Sequence, residues 1–211
     1  PGKANKYGAP RHHIRTVNHF KKTEQIQICL GVPGLAQDDK DIYALQALNN
    51  ILGGGLSSRL FQQIREEKAL AYTVYSYHAG FLDCGLFTVY AATSPTNYQQ
   101  LVYIILLEMA ALKNKGVTPQ ELKRTKDQIR GNLLLAQENV SQRMSRLGKT
   151  ELIFGRVITA EEVIEHLNQV GEDDLQAIAR RHLQADLLAL TTLGPRVEEL
   201  DVAALARQAG L

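Results

Sequence analysis

Three consecutive glycines, Gly53-Gly54-Gly55, constrain this chain more than any other local feature. They end an apolar pattern of Ile42, Leu45, Leu48 and Leu52 at helical spacing, which predicts a helix over 39–52. Glycine provides the left-handed backbone that a helix end uses, and it also permits close backbone approach. Ser57 is placed to cap a second helix over 57–68, with Leu60, Phe61 and Ile64 on its buried face. Leu70 to Tyr77, rich in Tyr, Thr and Val, reads as a strand. Arg65 and Tyr72 therefore fall on either side of a tight helix-to-strand joint. In the plain reading, Arg65 complements a helix C-terminus and Tyr72 is simply a good strand former. In the functional reading, guanidinium and phenol hydrogen-bond a peptide carbonyl, or an oxyanion developing from it.

The remaining elements follow in order. Residues 1–23 are basic, aperiodic and rich in Gly and Pro, and read as a linker or N-terminal extension before a domain over 24–211. Ile26, Ile28, Leu30 and Val32 alternate with polar residues as a half-buried strand, closed by Pro33-Gly34. A turn at Gly80 and a β-rich run over Cys84–Ala92 suggest an antiparallel hairpin with the preceding strand. Ser94-Pro95 opens a helix that ends at Lys115-Gly116. Thr118-Pro119-Gln120-Glu121 is a capping box for a long helix over 118–147, within which Gly131 is a weak point. Thr159 to Glu162 is a second box for a short helix, and another helix spans 172–183. Asp186 to Leu193 is a fourth strand, and 197–208 a terminal amphipathic helix. Few strands and a block of helices give an α+β class: a two-layer domain, its mostly antiparallel sheet covered on one face by helices.

Composition excludes several functions. A net charge of +2 gives no basic footprint for nucleic acid. No apolar run reaches transmembrane length, because Leu101 to Leu107 is followed by Glu108. Cys29 and Cys84 lie in apolar runs and read as reduced core thiols, which fits a cytoplasmic setting. The glycines follow a helix and no Lys stands where a phosphate loop needs one, so nucleotide binding is rejected. His12, His13 and His19 lack the i, i+4 spacing and acidic neighbours of a helical metal site. Glu162-Val163-Ile164-Glu165-His166 is one histidine short of the His-x-x-Glu-His pattern of a zinc peptidase. It reads as a surface pair on a short helix. His78 and His182 stand without neighbours that mark a site.

The run Leu48-Asn49-Asn50-Ile51-Leu52-Gly53-Gly54-Gly55-Leu56-Ser57-Ser58-Arg59-Leu60-Phe61, with Ile64-Arg65-Glu66 and Leu70 to Ser76, closely resembles the second half of the M16 zinc peptidases. These are the pitrilysin, insulin-degrading enzyme and mitochondrial processing peptidase family. The resemblance extends through Thr118–Leu122 and Ala160–Ile164 and covers nearly the whole chain from Glu24. It implies one of two homologous α+β halves that close round a peptide. The catalytic half carries His-x-x-Glu-His and a distal Glu. The other half lacks them and supplies an Arg and a Tyr that reach the substrate, here Arg65 and Tyr72. Leu45, Leu48 and Asn49 occupy the best-aligned ligand positions, so no metal is expected in this chain and zinc belongs to the partner half. The parent is then a zinc metalloendopeptidase and this fragment alone is inactive. Expected partners are the homologous catalytic half, in the same polypeptide or another subunit, and a peptide substrate; a homodimer is possible. The alternatives are a non-catalytic assembly domain, as in respiratory-complex core subunits, or an inactive partner subunit of a two-chain peptidase.

Overall fold

The computed structural model describes Pro10 and residues 12–211. Nine residues over Ile26–Gly34 form β2, and their strict alternation sends Ile26, Ile28, Leu30 and Val32 to one face. β2 pairs antiparallel with β4 (Gly85–Thr93) on one side and with β5 (Ala189–Gly194) on the other. β3 (Thr73–Gly80) pairs antiparallel with β4 and forms one edge. β1 (Thr16–Phe20) pairs parallel with β5 and forms the other, giving the order β1-β5-β2-β4-β3. The sheet is thus mixed but mostly antiparallel, as the α+β reading expects.

One face of the sheet is covered by α1 (Ile42–Gly53), α2 (Tyr98–Lys115) and α6 (Glu172–His182), and α3 (Pro119–Glu138) packs on α1. Ile28, Leu45, Leu48, Phe87, Leu101 and Leu190 meet in this layer at 0–1% exposure. Fully burying such a side chain contributes about 1.5–3 kcal/mol, so this interface dominates the stability of the domain. The register puts Tyr75, Tyr90, Cys29 and Thr191 in one row on the opposite face, which the helices leave open. Cys29 is therefore not a core thiol; both cysteines are free and half-buried. α4 (Val140–Phe154), α5 (Ala160–Gln169) and α7 (Val202–Ala209) complete the chain.

Several expectations are corrected. Thr16–Phe20, read as linker, is a strand, so the sheet begins before Glu24; the stretch over 1–9 lies outside the described residues. The long helix over 118–147 is two helices. Asn139 takes an extended conformation between them, and its side chain accepts from the Gln142 N–H to cap α4. Gly131 causes no break. Thr118 and Glu121 form the full capping box, whereas Thr159 accepts from the Glu162 N–H without the return bond. Ser57 caps nothing: helical residues start at Arg59, and the buried Ser58 hydroxyl donates to the Gly55 carbonyl instead. None of Gly53, Gly54 and Gly55 is left-handed. Their use is space, since a Cβ on Gly53 would lie 2.4 Å from the Ser76 backbone nitrogen. The helix end thereby seats directly on β3, where the Ser76 hydroxyl also donates to the Asn49 carbonyl.

Candidate functional site

The segment after the glycines does not continue as an ordinary α-helix. Phe61–Glu67 is π-helical, with the wider turn that i→i+5 bonding gives. Leu60 and Ile64, both fully buried, anchor it to the core. Its exit is closed by a bond from the Leu70 N–H to the Ile64 carbonyl at 2.9 Å. Ala69, at φ 48°, is the one non-glycine residue with positive φ among the described residues. A left-handed alanine costs roughly 1–2 kcal/mol, a strain that packing of Leu70 and Ala71 offsets. The reversal returns the chain over the π-helical turn before β3 begins at Thr73, three residues later than Leu70.

That reversal brings Arg65 and Tyr72 together. The Arg65 guanidinium carbon lies 4.2 Å from the centre of the Tyr72 ring and 4.8 Å from that of Phe61. Both are within cation–π range. Its polar contact among the described residues is Glu66, whose Oε1 is 3.7 Å from Nε, beyond hydrogen-bonding distance. The side chain is 33% exposed and Tyr72 is 76% exposed. Among the described residues the guanidinium therefore rests against two aromatic rings, and no hydrogen bond uses its donors. Beside it, a groove of about 420 Å³ is lined by the glycine turn, Leu56, Phe61 and Val74–Ser76 of the edge strand. Phe61, which the helical spacing places in the core, is half-buried instead and serves both groove and arginine. An aromatic four residues before an arginine in a helical segment was the available signal.

The other candidates are structural. His182 Nδ1 donates to the Pro33 carbonyl at 2.8 Å and Nε2 accepts from Arg181 Nε at 3.0 Å. His78 Nε2 is 2.9 Å from the Leu35 carbonyl oxygen. Both imidazoles thus have close partners after all, and both grip the chain leaving β2. Burial holds both below the ordinary histidine range, outweighing the backbone bonds to Leu35 and Pro33, which work to raise them. Glu162 pairs with Arg156, and His166 stacks on Tyr43 at 5.0 Å, so the near-zinc motif is an ordinary helix surface.

The residues do not fit a zinc ion. Leu45 and Leu48 offer only carbon and are fully buried. Asn49 Oδ1 is buried and has no partner among the described residues, but one amide oxygen is no zinc site. Among the described residues no three His, Cys, Asp or Glu side chains gather as metal ligands. Among them, too, no helix is long and apolar enough to cross a membrane.

Comparison with known proteins agrees with this picture. The family model described as Peptidase M16 inactive domain matches residues 2–129. "Uncharacterized zinc protease YmxG" of Bacillus subtilis (strain 168) is 42% identical over 92% of this chain and 47% of its own length. An uncharacterized zinc protease of Streptomyces coelicolor is 39% identical over 89% of this chain and 42% of its own. The chain thus spans about half the length of the curated relatives it matches. Among solved structures, a peptidase M16 inactive domain from Pseudomonas fluorescens superposes with a TM-score of 0.78 at 21% identity, covering 92% of this chain and 48% of that one. A Helicobacter pylori protease superposes at 0.80 and 23% identity, covering 88% and 46%. These two share the fold. With a matched family model over most of its length, this chain belongs to the peptidase M16 inactive-domain family.

Proposed function

We propose that this chain is the substrate-binding, non-metal-binding half of an M16-type zinc metalloendopeptidase. One observation carries the reading: Arg65 rests against two aromatic rings, its donors unused in hydrogen bonds among the described residues, and one of those rings, Phe61, lines a groove along the edge strand β3. A scaffold has no use for such a group, whereas a peptide carbonyl is a suitable acceptor. An extended peptide enters by adding alongside β3, with backbone groups of the edge strand as partners. Arg65 donates a charge-assisted bond to a carbonyl near the scissile position, and the exposed Tyr72 phenol donates a neutral one. As negative charge grows on that oxygen, both bonds strengthen, the arginine's more. Zinc and water activation come from the catalytic half, which the longer relatives have room to include. This chain contributes binding, orientation and charge stabilisation.

The test is steady-state peptidase kinetics on the two-half protein with a fluorogenic peptide. Arg65→Ala should lower kcat/KM roughly 10²-fold, as expected for losing one oxyanion donor. Tyr72→Phe should lower it roughly 5-fold, the value of one neutral hydrogen bond. Unfolding midpoints should stay close to the parent's. Unchanged turnover in both folded variants would overturn the assignment and favour a non-catalytic assembly role.

A further inference from the structure

Phe61 lies where neither a core role nor simple groove lining accounts for it. Its neighbours Leu60 and Ile64 carry the anchoring of the π-helical turn at full burial, while Phe61 stays half-buried. Its ring lies within cation–π range of the Arg65 guanidinium, as does that of Tyr72, and also lines the groove beside β3. In the widened turn, residues four to five apart share a face, so Phe61 supports Arg65 from within the same element.

We propose that Phe61 is a positioning residue for Arg65, one jaw of an aromatic clamp that holds the guanidinium edge-outward before peptide arrives. The inference rests on the reading of Arg65 as a peptide-binding group. An arginine side chain carries a large rotamer entropy, which binding must otherwise remove. Two ring faces restrict the guanidinium in advance. They also satisfy its charge without consuming a donor, which a carboxylate in the same place would do. Glu66 is too far for a hydrogen bond and leaves the donor edges available.

The experiment is a double-mutant cycle in the two-half protein, with kcat and KM for a fluorogenic peptide measured alongside the unfolding midpoint. Phe61→Leu and Phe61→Met remove the ring by two routes, so one folding failure does not end the test. Each should lower kcat/KM roughly three- to ten-fold. Phe61→Tyr, which keeps the ring, should restore most of the loss. In an Arg65→Ala background, Phe61→Leu should have no further effect. A penalty of full size in that background would show that Phe61 acts on peptide directly or on folding alone, and would overturn the clamp. Wild-type kinetics for both ring-free variants, with Arg65→Ala impaired, would overturn the clamp and leave the role of Arg65 intact. No effect of Arg65→Ala itself would remove the functional reading beneath it.

Discussion

Gly53 and Gly131 show how a single residue's value depends on what surrounds it. Both sit in helices, where alanine is intrinsically better by about 1 kcal/mol. At Gly131 an added Cβ meets nothing within 4 Å among the described residues. Gly131→Ala should therefore stabilise by about 0.5–1 kcal/mol. At Gly53 the same atom would sit 2.4 Å from the Ser76 backbone nitrogen, which cannot rotate aside. The steric cost outweighs the propensity gain, and Gly53→Ala should destabilise by about 1–3 kcal/mol. Urea unfolding of both variants measures the two signs; stabilisation by Gly53→Ala would show that α1 does not need to seat so closely on β3. The triple glycine is readable in the sequence as a helix stop. Only the third dimension shows that close approach to β3, not left-handed geometry, is what requires it.

At the scale of elements, the entry to α3 is tied by several charge-assisted bonds. Arg59 donates to both carboxylate oxygens of Glu121, at 2.7 and 2.9 Å, and to the Gly116 carbonyl at 3.0 Å. Glu121 also accepts from the Thr118 N–H at 2.8 Å. Burial alone would raise the Glu121 carboxyl; the Arg59 and Thr118 bonds and the Arg59 charge outweigh it and bring it down to about 2. Unfolded, the group titrates near 4.5. Between those values the unfolded chain holds more protons than the folded one, so this contribution is complete above pH 4.5 and is lost as pH falls toward 2. Glu121→Gln still serves the cap but loses the charged, two-bond pair. It should cost about 1.5–3 kcal/mol at pH 7 and show a shallower loss of stability between pH 5 and 2. Parallel acid limbs for variant and parent would count against the pairing.

The capping box that places this joint was legible at Thr118 and Glu121, because capping is local. Its partner Arg59 was not, since 62 positions separate the two. The same distinction explains the missed strand. Thr16–Phe20 has no apolar face to betray it, and is a strand because β5 offers an edge. Asn139 interrupts a helix without proline or glycine, through a side-chain bond that competes with the helix.

For the whole molecule, the division of labour is the testable claim. A two-layer fold with Leu45, Leu48 and Asn49 where the family resemblance expects zinc ligands should retain no zinc when this chain is purified alone, and should not cleave a fluorogenic peptide. Joined to a half bearing the metal motif, the protein should hold stoichiometric zinc by elemental analysis and cleave the peptide. Stoichiometric zinc on this half alone would mean that the two halves have been confused.

By itself the sequence determined the period of most elements, the β2 alternation, the α3 cap and the family resemblance. All of these follow from residues a few positions apart, whose backbone preferences and side-chain faces are set locally. The order of strands and the seating of Gly53 on Ser76 were decided by tertiary structure. So was the meeting of Arg65 with Tyr72. The reason is physical: each needs groups brought together by core packing or by a strained reversal such as Ala69, and no local preference encodes such a meeting.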